Sequence, residues 1–411
     1  MSNEFIDNLR DRFSVPSTGT YFLGNSLGLM PKNVPQMVSD ELQRWSEKGV
    51  EAHWGDQGWL SIDKMIKPTL SKLIGAADMS EIAVCHTLTV NLHLLLSRFY
   101  RPDNKRSVIM VEKRPFPSDW YAVMSRITAS GEDPVNLVEL NPREDEVNLR
   151  TEDIVNEINI AGESLGILVM GGVHYYTGQM LDIATITKAV HKVGGIVIWD
   201  LAHAVGIVEL QLHDWQVDAA VWCSYKYLNG GPGSPGGMFL HRKYHKDATP
   251  PGQLLGWWGH EESTRFEMDN KFKPEKGADS MRLSNISPLS GVCLISSMQI
   301  YELTDIAYLR KKSLAMTSHI MHLIDINSAL ENKVEIITPR EPQSRGGHVS
   351  IMIKNGKCLD VHKALEEKGF VVDYRAPSVL RMAPSPLYST FSEVEHFCNT
   401  LANIVSEVIH T

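Results

Sequence analysis

A lysine follows an apolar run in Trp222-Cys223-Ser224-Tyr225-Lys226-Tyr227-Leu228-Asn229-Gly230-Gly231-Pro232-Gly233, and a glycine-rich turn follows the lysine. Desolvation favours the neutral amine of a lysine, and a neutral amine can attack an aldehyde, so a half-buried lysine at a strand end suits covalent catalysis. Taken alone, the segment is equally a surface lysine on a loop. Twenty-six residues before Lys226, Gly195-Ile196-Val197-Ile198-Trp199-Asp200-Leu201-Ala202-His203-Ala204 closes a second apolar run with an aspartate. A carboxylate at the buried end of a strand demands a cationic partner. The protonated ring nitrogen of pyridoxal phosphate (PLP) is such a partner, and holding that proton makes the ring an electron sink. As an isolated pair, Asp200 and His203 also suit a helix cap and a core histidine. The spacing to Lys226 favours the cofactor reading, with His203 against the ring or its phenolic oxygen.

A phosphate needs a cradle. In Cys85-His86-Thr87-Leu88-Thr89-Val90-Asn91-Leu92 hydroxyl residues open an amphipathic helix, whose free backbone N–H groups form an anion site. Thr87 and Thr89 are donors of the right type, and an ordinary Thr N-cap explains the isolated segment as well.

The elements that must position these groups read as α/β. Short Val- and Ile-rich runs alternate with helical patterns from about residue 60 to 250. Strands are expected at Ser107–Val111, Val135–Leu140, Leu165–Met170, Ile196–Asp200 and Ala219–Cys223, and helices at Asp119–Ser130 and Ile183–Val193. The unbroken apolarity of the strands predicts a mostly parallel sheet buried on both faces. Beyond residue 285 one long helix (Gly291–Ile324) precedes Val334–Thr338, His348–Lys354, a helix at Leu359–Lys368, two short strands and a helix at Ser392–Val408, which reads as a smaller α+β domain. The expected division is a large domain over 41–284 and a small domain formed by 1–40 and 285–411, with the amphipathic stretch Val34–Lys48 packed on the small one.

The bulk properties narrow the class. A chain of 411 residues exceeds one hydrophobic core, and 43% hydrophobic with 22% charged residues is an ordinary globular balance. A net charge of −9 and a pI near 6.0 give no support for nucleic-acid binding. The densest basic cluster, Arg310-Lys311-Lys312, is expected to be a solvated helix face. The charged start MSNEFIDNLRDRF lacks the apolar core of a secretion signal, and no run of 18 apolar residues occurs, so a cytoplasmic protein is expected. Cys85, Cys223, Cys293, Cys358 and Cys398 are scattered, without C-x-x-C, and indicate neither a disulfide framework nor a metal site. No internal repeat is present.

A wider set of segments resembles one family almost from end to end. Tyr21-Phe22-Leu23-Gly24-Asn25-Ser26-Leu27-Gly28, Leu88-Thr89-Val90-Asn91-Leu92-His93, Phe116-Pro117-Ser118-Asp119, Val173-His174-Tyr175-Tyr176-Thr177-Gly178-Gln179, Asp200-Leu201-Ala202-His203-Ala204, Ser224-Tyr225-Lys226-Tyr227-Leu228-Asn229 and Gly259-His260-Glu261 with Ser263-Thr264-Arg265-Phe266 are similar to kynureninases in order and spacing. An aspartate with a later lysine is shared by all aspartate-aminotransferase-like (fold type I) PLP enzymes. The FLGNSLG, SYKYLN and GHE-x-STRF segments are more specific.

The resemblance implies a fold type I large domain, PLP as cofactor and a role for each matching residue. Lys226 would carry the cofactor covalently, Asp200 would pair with the ring nitrogen, and Phe116 would stack on the ring. Leu88 and Thr89 would hold the phosphate, with Ser118, Asp119, Tyr225 and Trp257 nearby and Tyr176 on the phosphate side, while His203 and Asn285 complete the pocket. Arg381 in Leu380-Arg381-Met382-Ala383-Pro384 matches the arginine that grips the substrate α-carboxylate, a bidentate task suited to guanidinium; taken alone it reads as a surface ion pair. His53, Ser284 and Asn285 match positions facing the substrate ring, a combination similar to eukaryotic-type kynureninases that extends the expected substrates from kynurenine to 3-hydroxykynurenine.

The implied reaction is hydrolytic Cβ–Cγ cleavage, giving anthranilate or its 3-hydroxy form and L-alanine, with Lys226 as base at Cα and Tyr225 in proton transfer to the carbonyl oxygen or Cβ. A homodimer with shared active sites follows by analogy with the fold type. Two departures stand out: Gly171 replaces a serine or threonine, and Pro232 and Pro235 alter the glycine-rich turn. Of the alternatives, a cysteine desulfurase needs a mobile catalytic cysteine, whereas Cys358 and Cys398 lie in helical patterns. An aminotransferase shares the cofactor chemistry. A PLP-binding regulator needs a DNA-binding module that the roughly twenty residues before the first motif cannot form, and a dehydrogenase needs a G-x-G-x-x-G after a first strand.

Overall fold

A computed structural model of the chain describes residues 7–55, 57–103, 105–247 and 249–410. In chain order the first group of elements is β1 (Thr20–Tyr21), α1 (Val34–Lys48), α2 (Lys67–Ile74), β2 (Ile82–Val84), α3 (Leu88–Phe99), β3 (Val108–Glu112), α4 (Pro117–Ala129), β4 (Leu137–Leu140), α5 (Thr151–Ala161), β5 (Leu165–Gly171), α6 (Ile183–Lys192), β6 (Ile196–Asp200), β7 (Ala219–Trp222), β8 (Gly237–Leu240) and α7 (Pro288–Tyr301). The second is α8 (Ile306–Asp325), β9 (Val334–Ile336), β10 (Val349–Ile353), α9 (Cys358–Glu367), β11 (Phe370–Val371), β12 (Asp373–Arg375), β13 (Val379–Met382) and α10 (Phe391–His410).

Seven strands form the central sheet in the order β2-β8-β7-β6-β5-β3-β4. The strands from β7 to β4 are parallel, while β8 runs against both β7 and β2. The apolar runs work as expected of strands buried on both faces. Ile167, Val169 and Ile198 join a core with α3 and α4, whereas Leu168, Met170, Val197 and Trp199 join another with α2, α5, α6 and α7. Alternate side chains thus fill opposite layers, which is why no polar face appears in these sequences. The parallel strands end along one edge, with Gly171 beside Asp200 and Asp200 beside Val221. Ligands of open α/β sheets bind outside this carboxyl edge.

A third core joins Phe22 to residues of α8, β10, α9, β13 and α10, around an antiparallel sheet ordered β12-β13-β10-β9. The expected single helix Gly291–Ile324 is two helices. Asp305 breaks it, its carboxylate accepting from the Tyr308 N–H at 2.7 Å as the N-cap of α8. Nine of the fourteen residues of α7 are buried, and its buried apolar side chains belong to the core of Leu168 and Trp199. Met37 and Val38 of α1 pack against that same core, and α1 lies along α7, the first part of the expected long helix.

The basic cluster on α8 is a further correction. Arg310 and Lys312 are buried, not solvated, and Arg310 donates to the carbonyls of Pro342 (2.9 Å), Arg345 (2.7 Å) and Gly346 (3.2 Å). Those donors tie α8 to the loop before β10. No helix among the described residues is long and apolar enough to cross a membrane.

Candidate active site

The carboxyl edge of the sheet opens into a cavity lined by Leu88, Thr89, Glu112, Phe116, Ser118, Asp119, Gly171, Val173, Tyr175, Asp200, Ala202, His203, Tyr225 and Lys226. Residues from six separate segments converge there because α3 and α4 start where β3, β5, β6 and β7 end.

Lys226 is set by a tight turn after β7. Asn229 N–H donates to its carbonyl (2.9 Å) and Gly230 N–H to that of Ser224 (2.8 Å). The N-terminal segment clamps this turn, Gly28 N–H donating to Tyr225 O at 2.8 Å, and any side chain on Gly28 would collide with Asn229 and the Lys226 carbonyl. Gly236 passes so close under α3 that a Cβ would lie 3.1 Å from Leu88 N. The turn carrying Pro232 and Pro235 therefore supports the start of α3 and leaves Lys226 free to reach His203 Nε2 at 3.0 Å, with its Nζ 5.8 Å from the Phe116 ring centre.

Three buried carboxyl groups share the cavity with the amine. Asp200 accepts from Ala202 N–H at 2.8 Å; burial pushes its pKa up, while Lys226 and that hydrogen bond pull it down. Asp119 is pushed well above the usual carboxylate range by burial and then by Asp200, and its Oδ1 has no partner. Burial raises Glu112 to about 7; its Oε1 accepts from Gly171 N–H at 3.0 Å and its Oε2 has no partner. A cavity with this much unsatisfied acid suits a ligand that brings a cation.

The other end of the cavity is built for an anion. Thr89 Oγ1 and Ser118 Oγ, on the first turns of α3 and α4, are 2.5 Å apart, and both helix starts line the cavity. Free N–H groups and the helix dipole favour negative charge there. An amine, a carboxylate for a ring nitrogen, an aromatic face at Phe116 and a phosphate cradle together fit PLP.

The fifteen positions expected from the sequence differ in how they relate to this cavity. Leu88, Thr89, Phe116, Ser118, Asp119, Asp200, His203, Tyr225 and Lys226 line it, whereas Tyr176 does not; its neighbour Tyr175 does, with its ring edge-on to Phe116 at 5.4 Å. Arg381 is 1% exposed on β13 and lies just behind, donating to Tyr175 O and to Ser26 Oγ and paired with Asp373 through Nε at 2.6 Å. Trp257, His53, Ser284 and Asn285 lie outside it in this chain. Asn285 donates to Trp59 O at 3.0 Å, the His53 ring meets Trp59 at 5.0 Å, Ser284 is exposed, and Trp257 Nε1 donates to Arg265 O at 3.0 Å.

Glu112, Val173, Tyr175 and Ala202 were not expected. Glu112 carried the same signal as Asp200, an acid closing an apolar strand. Its carboxylate stands 3.2 Å from where a Cβ on Gly171 would sit, so it occupies the space a serine or threonine there would use. Because its folded pKa is raised, Glu112 contributes stability below about 4.5 that is lost as pH rises through about 7. Glu112→Gln is expected to remove that decline, so the melting-temperature difference between cofactor-free wild type and variant should change sign or shrink between pH 4.5 and 7; parallel pH curves would contradict it.

Similar folds and similar sequences answer two different questions. A cysteine desulfurase from Thermococcus onnurineus NA1 superposes with a TM-score of 0.80 at 18% identity, covering 99% of this chain and all of that one. The C-DES protein with glycine covalently linked to its PLP cofactor gives 0.79 at 15% identity over 96% of this chain and 99% of that one. These likenesses show the fold type I architecture and no more. A family model for the kynureninase C-terminal domain matches residues 309–401. The kynureninase of Koribacter versatilis is 43% identical over 399 residues, 95% of this chain and 93% of that protein. The chain belongs to the kynureninase family. The kynureninase of Monosiga brevicollis (41% identity, 98% of this chain, 94% of that one) and kynureninase 1 of Neurospora crassa (42%, 92% and 81%) agree. As a kynureninase the chain also has no use for a mobile desulfurase cysteine, and Cys358 and Cys398 are buried on α9 and α10.

Proposed function

We propose that this kynureninase uses PLP to hydrolyse the Cβ–Cγ bond of L-kynurenine or 3-hydroxy-L-kynurenine, releasing anthranilate or 3-hydroxyanthranilate and L-alanine. The observation that carries this reading is the Lys226 amine and the Asp200 carboxylate in one cavity, within a chain of this family. Bound PLP supplies an electron sink for carbanions at the substrate α and β carbons. Lys226 carries the cofactor and moves the Cα proton, Asp200 holds the ring-nitrogen proton, Phe116 covers the ring, and Leu88, Thr89 and Ser118 bind the phosphate. Tyr225, exposed at the cavity and with its hydroxyl pKa raised by burial, keeps its proton for the carbonyl oxygen or Cβ. Arg381, with Ser26 beside it, takes the α-carboxylate in exchange for part of its pairing with Asp373.

Incubation with PLP and each substrate, following anthranilate fluorescence and alanine, tests the reaction. Stoichiometric release of both products is expected, and pyruvate or sulfide chemistry without anthranilate would overturn it.

The same reading makes the enzyme a homodimer in which His53, Trp257, Ser284 and Asn285 serve the partner's cavity. An exposed aromatic row supports it: Trp54, Phe266 and Trp257 are 54%, 45% and 47% exposed and linked at 5.0 and 5.3 Å. Trp257→Ala and Lys226→Ala chains, each inactive, should together recover about a quarter of wild-type activity, because half of randomly paired dimers carry one intact site. No recovery on mixing would contradict shared sites. The five unpaired cysteines, four of them buried, support a reducing compartment, and we place the enzyme in the cytoplasm.

A further inference from the structure

Two histidines stand in line behind the lysine. His203 Nε2 is 3.0 Å from Lys226 Nζ, whereas its Nδ1 is buried without a partner. The next ring inward is His348, just before β10, with 0% exposure and its centroid 5.7 Å from that of His203. Neither of its nitrogens makes a hydrogen bond of ordinary geometry, although the Tyr175 backbone lies near enough to pull its pKa upward. Tyr227 Oη is also buried and unpartnered, and lies 3.3 Å from where a Cβ on Gly347 would sit, next to His348. Buried polar atoms are rarely left unbonded, and these are donors and acceptors of the kind that one ordered water would satisfy.

Burial first, then the charge of Lys226 for His203 and of Arg381 for His348, pushes both rings well below the usual histidine range. Each ring is therefore neutral, with one N–H and one lone pair, and which nitrogen carries the proton is set by the bond the other one makes. A charged Lys226 can only donate to a bare Nε2 of His203, and once the lysine is neutral an N–H on Nε2 would occupy its lone pair. That lone pair is the one with which the lysine attacks and later takes a proton.

We propose that His348 is a positioning residue for Lys226: through one bridging water it accepts the Nδ1–H of His203 and so keeps the lone pair of Nε2 facing the lysine amine. The idea rests on the role given to Lys226 above. His348 follows the loop around Gly346, which Arg310 of α8 holds from one side and the Gly178 carbonyl from the other, so the small antiparallel sheet reaches the lysine through this histidine.

Nitrogen-15 histidine spectra of the cofactor-free protein, with His203 assigned by its loss in His203→Gln, report the tautomer directly. In wild type Nδ1 of His203 is expected to be protonated. His348→Phe should shift His203 to a mixture or to the Nε2–H form and lower kcat of the loaded enzyme about ten- to a hundredfold with little change in KM, the scale of other lost outer-shell partners. His348→Gln, which still donates and accepts, should keep the wild-type tautomer and most of the rate; His348→Leu replaces the Phe variant where that one does not fold. An unchanged tautomer in His348→Phe, or an equal loss of kcat in His348→Gln, overturns the proposal. A wild type that does not cleave kynurenine would instead sink the functional reading, and the spectra of the cofactor-free protein would still decide the role of His348.

Discussion

Lys226→Ala is expected to fold, to bind no cofactor covalently and to lose at least about a thousandfold in kcat, since the proposed function has the same side chain carry the cofactor and move a proton. The fold should tolerate the change. Among the hydrogen bonds of Lys226, the side chain makes one to His203 Nε2, while the turn that holds it is secured by backbone bonds from Gly28, Asn229 and Gly230 that alanine retains. The visible absorbance of the lysine-bound cofactor should vanish, while free PLP still occupies the cradle of Thr89 and Ser118. Retention of both absorbance and turnover would remove Lys226 from the chemistry. Loss of activity with loss of the thermal transition would indicate a folding role only.

Asp200→Asn separates electronics from architecture. An asparagine oxygen can still accept the Ala202 N–H that Asp200 accepts at 2.8 Å, so the end of β6 keeps its shape. An amide does not keep a proton on a pyridine nitrogen, and the ring loses most of its capacity as an electron sink. A fall in kcat of about a hundred- to a thousandfold is expected, the size of other preorganised electrostatic contributions, with covalent attachment at Lys226 intact. A variant within severalfold of wild type would mean that the ring nitrogen faces something other than Asp200.

How much of this was readable beforehand depended on whether the cause was local. Ile196–Asp200 and Val34–Lys48 appear with the expected limits, because an acid closing an apolar run, and a proline and a glycine bracketing an amphipathic one, are local signals. Lys226 and Asp200 were legible as a pair for the same reason. The break at Asp305 was also local, an N-cap hidden inside a long apolar pattern. By contrast, nothing near Arg310 says that three carbonyls of a distant loop will cover it. The choice between Tyr175 and Tyr176 is equally non-local: adjacent side chains point apart, and only the position of Phe116 decides which one meets the cavity. Glu112 was missed although its signal matched that of Asp200, since no later lysine drew attention to it. His348 has no sequence signal at all; its interest comes from the partners it lacks.

Reduction of the cofactor-loaded protein with borohydride fixes the covalent bond in place, and proteolysis with mass mapping then locates it. A single labelled peptide spanning the Ser224-Tyr225-Lys226-Tyr227-Leu228-Asn229 turn, with the label on Lys226, is the expected result. A label on any other lysine, or none after the protein has bound PLP, contradicts the assignment of this cavity as the place of catalysis.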